Sequence, residues 1–226
     1  MDKIKAVIFD MDGLLLDSES ISLSTFITAC RECDFEPDLE VYYKCVGTTY
    51  DKAKEILQEG YGSAFPLEMI TRRWEKKYAE EQLDGYIPLK AGVLNLLQYL
   101  GRKGLRRAVV TSTYKEYALK KLANAGIISR FELILTGDEI IHPKPHPEIY
   151  LTACRRLKEE PVNCLALEDS DAGVLAAFNA GLKVIQVPDL LQPSPEVKAL
   201  GHKIVKSLED IEIILEHGMP GDFTNE

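Results

Sequence analysis

The 226-residue chain is 46% hydrophobic and 28% charged, the make-up of a globular protein with room for one sizeable domain or a domain carrying an insertion. Its net charge of −9 speaks against a nucleic-acid surface, which needs a clustered basic footprint, and against anionic membranes as partners. No apolar stretch approaches the roughly 20 residues of a membrane helix. The segment Met1–Lys5 runs straight into a strand without a signal-peptide pattern. Five cysteines, an odd number, read as reduced thiols and not as a disulfide framework. Cytoplasmic residence is the expectation.

Along the chain, Ala6–Phe9 is a short apolar run suited to a buried strand, and it ends in Asp10-Met11-Asp12-Gly13. From Ser18 to Leu57 the pattern is helical, with Leu23, Phe26, Ile27 and Cys30 at helix spacing. A further helix is expected from about Pro66 to Gln82, Pro66 suiting a first-turn position. Nothing between Asp17 and Asp84 reads as a strand, so residues 17–87 form a candidate all-helical domain. Its exit carries Gly85 and Pro88, which punctuate local structure.

After Pro88 strands and helices alternate. The pattern predicts helices over Gly92–Lys103 and Lys115–Ala125, with strands at Ala108–Thr111 and Phe131–Leu135. A helix opens near Pro147, a strand follows at Cys164, and a helix over Asp171–Ala180 stops at Gly181. The strand Lys183–Val187, a short strand near Ile204 and a helix from about Glu209 complete the series, and the polar tail from Met219 is expected to fray. This alternation predicts an α/β fold, a doubly wound parallel sheet built from residues 1–16 and 88–226.

Four of the predicted strands lead into residues suited to phosphoryl transfer: Asp10 and Asp12, Thr111-Ser112-Thr113, a loop carrying Lys144 between two prolines, and Glu168-Asp169-Ser170. Ligands of such sheets bind at the carboxyl ends of the strands, so these groups converge on one crevice. Asp10 and Asp12, two apart at a strand end, can point the same way. They are either a solvated loop pair, or neighbours whose repulsion leaves one ionised and raises the other, as a nucleophile beside a general acid/base requires. Gly13 would let the backbone turn tightly against a ligand. Lys144 is a solvated loop lysine in the ordinary case, but Pro143 and Pro145 restrict where it points.

The run Asp10-Met11-Asp12-Gly13-Leu14-Leu15-Leu16-Asp17-Ser18-Glu19 resembles the first signature of the haloacid dehalogenase superfamily. Thr111, Lys144 within His142-Pro143-Lys144-Pro145-His146-Pro147, and Glu168-Asp169-Ser170-Asp171-Ala172-Gly173 are similar to its remaining motifs, in order and across nearly the whole chain. The resemblance implies a helical cap inserted after the first strand. It implies that Asp10 attacks phosphorus to form an aspartyl-phosphate, and that Asp12 protonates the leaving oxygen and then activates water. Thr111, with Gly13 and Ser112, would hold the phosphoryl group, and Lys144 would offer a compact positive charge. Asp10, Asp169, Glu168 and the main-chain carbonyl of Asp12 would hold a divalent cation. Hard oxygen donors select Mg²⁺ over Zn²⁺, and several carboxylates with a phosphate dianion cannot share a small site on one lysine alone.

The activity expected is that of an Mg²⁺-dependent phosphatase acting on a small phosphorylated metabolite, a sugar phosphate or a nucleotide-like ester. A β-phosphoglucomutase-type mutase is the alternative, and a non-enzymatic phosphate-responsive switch a weaker one, because Asp12 and the cap argue for turnover. Mutases of that branch carry a His at about the position of Ser22 and an Arg after the Gly of the cap loop, where this chain reads Gly47-Thr48-Thr49-Tyr50. A phosphatase must admit water to its phospho-enzyme, so both departures favour it. Thr48, Thr49 and Tyr50 are candidate specificity residues; substrate identity and oligomeric state are not legible. Asp171 is expected to cap the helix that follows it, with Ser170 as rival. Cys30-Arg31-Glu32-Cys33 has no second pair at zinc spacing and reads as packed thiols. His142 and His146 are expected to shape the lysine loop, and the basic residues Arg72, Arg73, Lys76 and Lys77 to form a solvated face or, in a cap, to meet an anion.

Overall fold

The structure, a computed structural model, describes residues 4–46, 50–83, 85 and 87–217. In chain order its elements are β1 (Ala6–Phe9), α1 (Ser18–Arg31), α2 (Leu39–Tyr43), α3 (Tyr50–Tyr61), α4 (Leu67–Leu83), α5 (Val93–Arg102), β2 (Arg106–Val110) and α6 (Lys115–Asn124). They continue with β3 (Leu133–Leu135), α7 (Glu148–Leu157), β4 (Cys164–Glu168), α8 (Asp171–Asn179), β5 (Lys183–Gln186), α9 (Pro195–Lys198), β6 (Lys203–Ile204) and α10 (Asp210–His217).

The six strands form one parallel sheet in the order β3-β2-β1-β4-β5-β6. The order reverses between β1 and β4, and that switch point is where doubly wound sheets open a crevice at the strands' carboxyl ends. Register carries the polar ends into line: Phe9 stands beside Val109 on β2 and beside Leu167 on β4. Every residue of β1 and β4 is buried, which is why these runs are continuously apolar and do not alternate. The sheet packs on α7 and α8 through Ile149, Tyr150, Ala153, Leu157, Val174 and Ala177.

Two strand starts differ from the sequence pattern. β2 begins at Arg106, earlier than the apolar run, because Arg106 reaches Glu132 and Glu159 at the amino end of the sheet. β3 begins at Leu133 and not Phe131, since Ile128–Arg130 first makes a 3₁₀ turn; the Phe131 ring instead packs edge-on against Phe9, centroids 5.8 Å apart.

Contacts divide the chain into two compact units, Asp17–Pro88 and the remainder. Within Asp17–Pro88 the helical pattern over Ser18–Leu57 is three helices, not one. α1 ends where Asp34 takes a left-handed conformation, φ 54°, shortly before Pro37. The unit is held by Phe26 against Tyr42 (4.9 Å) and Trp74 (5.1 Å), and by Phe65 against Phe35 (4.9 Å) and Tyr61 (4.7 Å). Aromatic pairs of this kind contribute about 0.5–1.5 kcal/mol each beyond area burial. No helix among the described residues is long and apolar enough to cross a membrane.

Candidate active site

The loop after β1 is folded on itself. Gly13 N–H donates to the Leu16 carbonyl, and Leu15 and Leu16 N–H both donate to that of Met11. Gly13 has φ +80°, and a Cβ there would run into the Asp169 carboxylate. Two requirements therefore select glycine: a left-handed backbone, and room for Asp169, the acidic residue that follows β4. Sheet bonds continue past the strands, with Asp10 N–H donating to the Leu167 carbonyl (3.0 Å) and Thr111 N–H to that of Leu135 (3.0 Å).

Lys144 lies at the centre. Its ammonium donates to Asp10 Oδ1 at 2.5 Å and to Glu168 Oε1 at 2.6 Å, and only 6% of its side chain is exposed. The Tyr150 hydroxyl, from α7, donates to the same Glu168 oxygen at 2.6 Å, and Ser170 reaches the other. Burial is the largest influence on Asp10 and raises it; Lys144 pulls it down, Glu168 and Asp12 push it up, and the carboxyl settles at about 8. Burial opposes the charge of Lys144, but the Asp10 and Glu168 carboxylates outweigh it and hold the ammonium above the usual lysine value.

The loop that presents Lys144 is tied by Glu148, which accepts from the backbone N–H of Ile141 and His142 and pairs with His142 Nδ1 at 2.7 Å. The Ile141 N–H first, then the His142 side chain, hold this carboxyl down at about 2. Spacing gave no reason to group the histidines, yet His142, His146 and Glu148 have donor atoms within 4.8 Å of one another. Both Glu148 oxygens already serve the loop, and His146 Nδ1 accepts from the Glu148 N–H.

Asp12 is held separately from Asp10. Thr113 Oγ1 donates to its Oδ2 at 2.7 Å, and Lys121 Nζ to its Oδ1 at 2.8 Å. Thr111 is buried and its hydroxyl oxygen accepts from Thr113 N–H at 3.0 Å, while Ser112 faces solvent at the same strand end. The sequence pattern places Thr113 only within the hydroxyl cluster after β2, without a role toward Asp12, and does not single out Tyr150 and Lys121. A signal for the last two was present: Ala118, Lys121 and Leu122 form the inward stripe of α6, and Ile149, Tyr150, Ala153, Cys154 and Leu157 that of α7. A lysine or a hydroxyl on such a stripe needs a buried partner.

Asp10, Glu168 and Asp169 bring carboxylate oxygens within 4.8 Å of one another. Beside them Asp189, bonded through Oδ1 to Lys90 at 2.5 Å, has a buried Oδ2 without a hydrogen-bond partner, facing Gly13. An all-oxygen, acid-rich set with an unsatisfied buried carboxylate oxygen at its edge fits a hard divalent cation.

The remaining candidates fall as follows. The cap of α8 is Ser170, whose hydroxyl accepts from Gly173 N–H at 3.1 Å. Asp171 is not that cap: one turn position further on, its carboxylate is turned to Ser194 N–H and the Gln186 amide. Thr48 and Thr49 lie outside the described residues, and of Tyr50 only the backbone, opening α3, is described. Ser22 accepts from the Tyr42 hydroxyl and its carbonyl from Trp74 Nε1, so it is a packing residue of its unit. Arg73 and Lys77 pair with Glu32, and Lys76 with Glu80. Cys30 is buried, and that burial pushes its thiol up to about 12.

A doubly wound sheet with a lysine and opposed acidic pairs at its switch point is a site suited to binding and activating an anionic ester. The haloacid dehalogenase-like hydrolase model matches residues 7–187, and the chain belongs to that family. It is 29% identical to the phosphorylated carbohydrates phosphatase of Thermotoga maritima over 95% of this chain and 92% of that one. It is 32% identical to (DL)-glycerol-3-phosphatase 2 of Arabidopsis thaliana, over 82% and 80% of the two chains. The crystal structure of CbbY from Rhodobacter sphaeroides in complex with phosphate is similar at TM-score 0.70 and 27% identity, covering 92% of this chain and 96% of that one.

Proposed function

We propose that this chain is an Mg²⁺-dependent phosphatase that hydrolyses a small phosphomonoester, a sugar phosphate or a similar metabolite, through an aspartyl-phosphate on Asp10. The observation that carries the reading is the division of labour between the two aspartates. Asp10 is held by Lys144 in a buried site, whereas Asp12 is held apart by Thr113 and Lys121. Relatives named as phosphatases of phosphorylated carbohydrates and of glycerol 3-phosphate support the substrate class.

In the first half-reaction an Asp10 carboxylate oxygen forms a bond to phosphorus as the bond to the ester oxygen breaks, and Asp12 gives that oxygen its proton. In the second, Asp12 takes a proton from water, the water oxygen bonds to phosphorus, and the bond to Asp10 breaks, releasing phosphate and restoring both carboxyls. Lys144 neutralises Asp10 and a phosphoryl oxygen, while Thr111 and the adjacent backbone orient the group. Asp10, Asp169 and the Asp12 carbonyl would hold Mg²⁺, with Glu168 behind them. When bound, Mg²⁺ supplies the positive charge that lets a carboxylate approach a phosphate dianion.

The test is phosphate release from a panel of sugar phosphates, glycerol 3-phosphate, nucleoside monophosphates and p-nitrophenyl phosphate, with Mg²⁺ or EDTA. Release that needs Mg²⁺ and falls by at least about a thousandfold in Asp10→Asn is expected. A folded wild type that releases phosphate from none of them would overturn the reading.

A further inference from the structure

We propose that Lys121 is a positioning residue for Asp12, resting on the phosphatase reading above: its ammonium and the Thr113 hydroxyl grip the two carboxylate oxygens of Asp12 and aim the proton-transfer group. Lys121 is 4% exposed although it sits on α6. A lysine is buried only at substantial cost in desolvation and chain entropy unless an opposite charge receives it, and here Asp12 Oδ1 does so at 2.8 Å. Thr113 donates to Oδ2 at 2.7 Å. With a donor on each oxygen, rotation of the carboxylate about its terminal torsion is restricted.

The two lysines thus divide the site. Lys144 is committed to Asp10 and Glu168, and Lys121 serves Asp12. The pairing also ties the β1 loop to α6 through a contact between residues 109 positions apart in sequence. Proton delivery to a departing oxygen tolerates little displacement of the donor, so the effect of Lys121 belongs to the step in which Asp12 assists the leaving group.

That step can be read by varying the leaving group. Phenol ionises near pH 10, as tyrosine does, and needs a proton to depart, whereas p-nitrophenolate leaves readily without one. In Lys121→Met, kcat/KM for phenyl phosphate is expected to fall about tenfold or more, and for p-nitrophenyl phosphate no more than about threefold. Lys121→Gln, which keeps a donor and the bulk, should show a smaller loss of the same selectivity. Lys121→Arg, which keeps the buried charge and is the safeguard if the neutral variants do not fold, should also lose more on phenyl phosphate than on p-nitrophenyl phosphate. Equal losses on both esters in the folded variants, or no loss, would overturn the positioning role while leaving the phosphatase reading intact. A folded wild type that releases phosphate from neither aryl ester nor any other compound of the panel with Mg²⁺ would overturn both.

Discussion

Asp10 carries a stability cost that comes from its burial. In the unfolded chain an aspartate ionises near 3.9; in the folded chain burial raises it to about 8. Between those values the folded state retains a proton that the unfolded state has lost, so stability falls as pH rises through this window and the cost is complete above about 8. Asn has no proton to lose. In EDTA, the melting temperature of Asp10→Asn should match the wild type near pH 4 and exceed it by a margin that grows toward pH 8 and then levels. Each kcal/mol relieved corresponds to about 2–4 °C in a chain of this size. A margin constant across that range would show that Asp10 is already ionised in the folded protein. The chemical types at these positions were legible from the sequence, since Asp10, Asp12, Lys144, Glu168 and Asp169 all follow apolar runs. Lys121 was not singled out, because a lysine in a helix is solvated in the ordinary case and only the inward stripe of α6 marks it.

Among the elements, α8 shows how closely a helix can be seated on a site. A Cβ on Gly173 would fall within the Glu168 carboxylate, so the helix start and the acidic end of β4 share one space. Gly173→Ala should therefore push Glu168 off Lys144 and Tyr150. The expected loss is about 1–3 kcal/mol of stability by overpacking, with Mg²⁺ affinity lowered about tenfold by calorimetric titration. An alanine variant with unchanged melting and unchanged Mg²⁺ affinity would show that the helix shifts freely. The same few residues show where local reading stops. Asp and Ser are comparable N-caps in isolation. Ser170 takes the cap because Gln186 and the Ser194 backbone claim Asp171 from other parts of the chain. Likewise Phe131 looks like strand until a 3₁₀ turn before it postpones pairing to Leu133.

For the molecule as a whole, the sheet order sets β1 beside β4 and so gathers Asp10, Glu168 and Asp169 into one acidic cluster opposed by Lys144. A cation that binds this cluster binds only the folded chain, and at a hundredfold excess over its Kd it adds about 2.7 kcal/mol of stability. Saturating Mg²⁺ should accordingly raise the melting temperature by about 5–10 °C, reversibly with EDTA, and by much less in Asp10→Asn. No shift in the wild type would count against a metal site here. Alternation of apolar runs with helical stretches, and the polar residues closing each run, are properties of neighbouring residues; they determined the α/β class, the helical stretch after β1 and the acidic and lysine-bearing motifs from sequence alone. Which side chains meet was decided only by tertiary structure. Lys144 between Asp10 and Glu168, Lys121 and Thr113 on Asp12, and Asp189 facing Gly13 all depend on parallel register and on how each helix is rotated against the sheet. Those quantities are settled by packing between distant segments, and no local pattern encodes them.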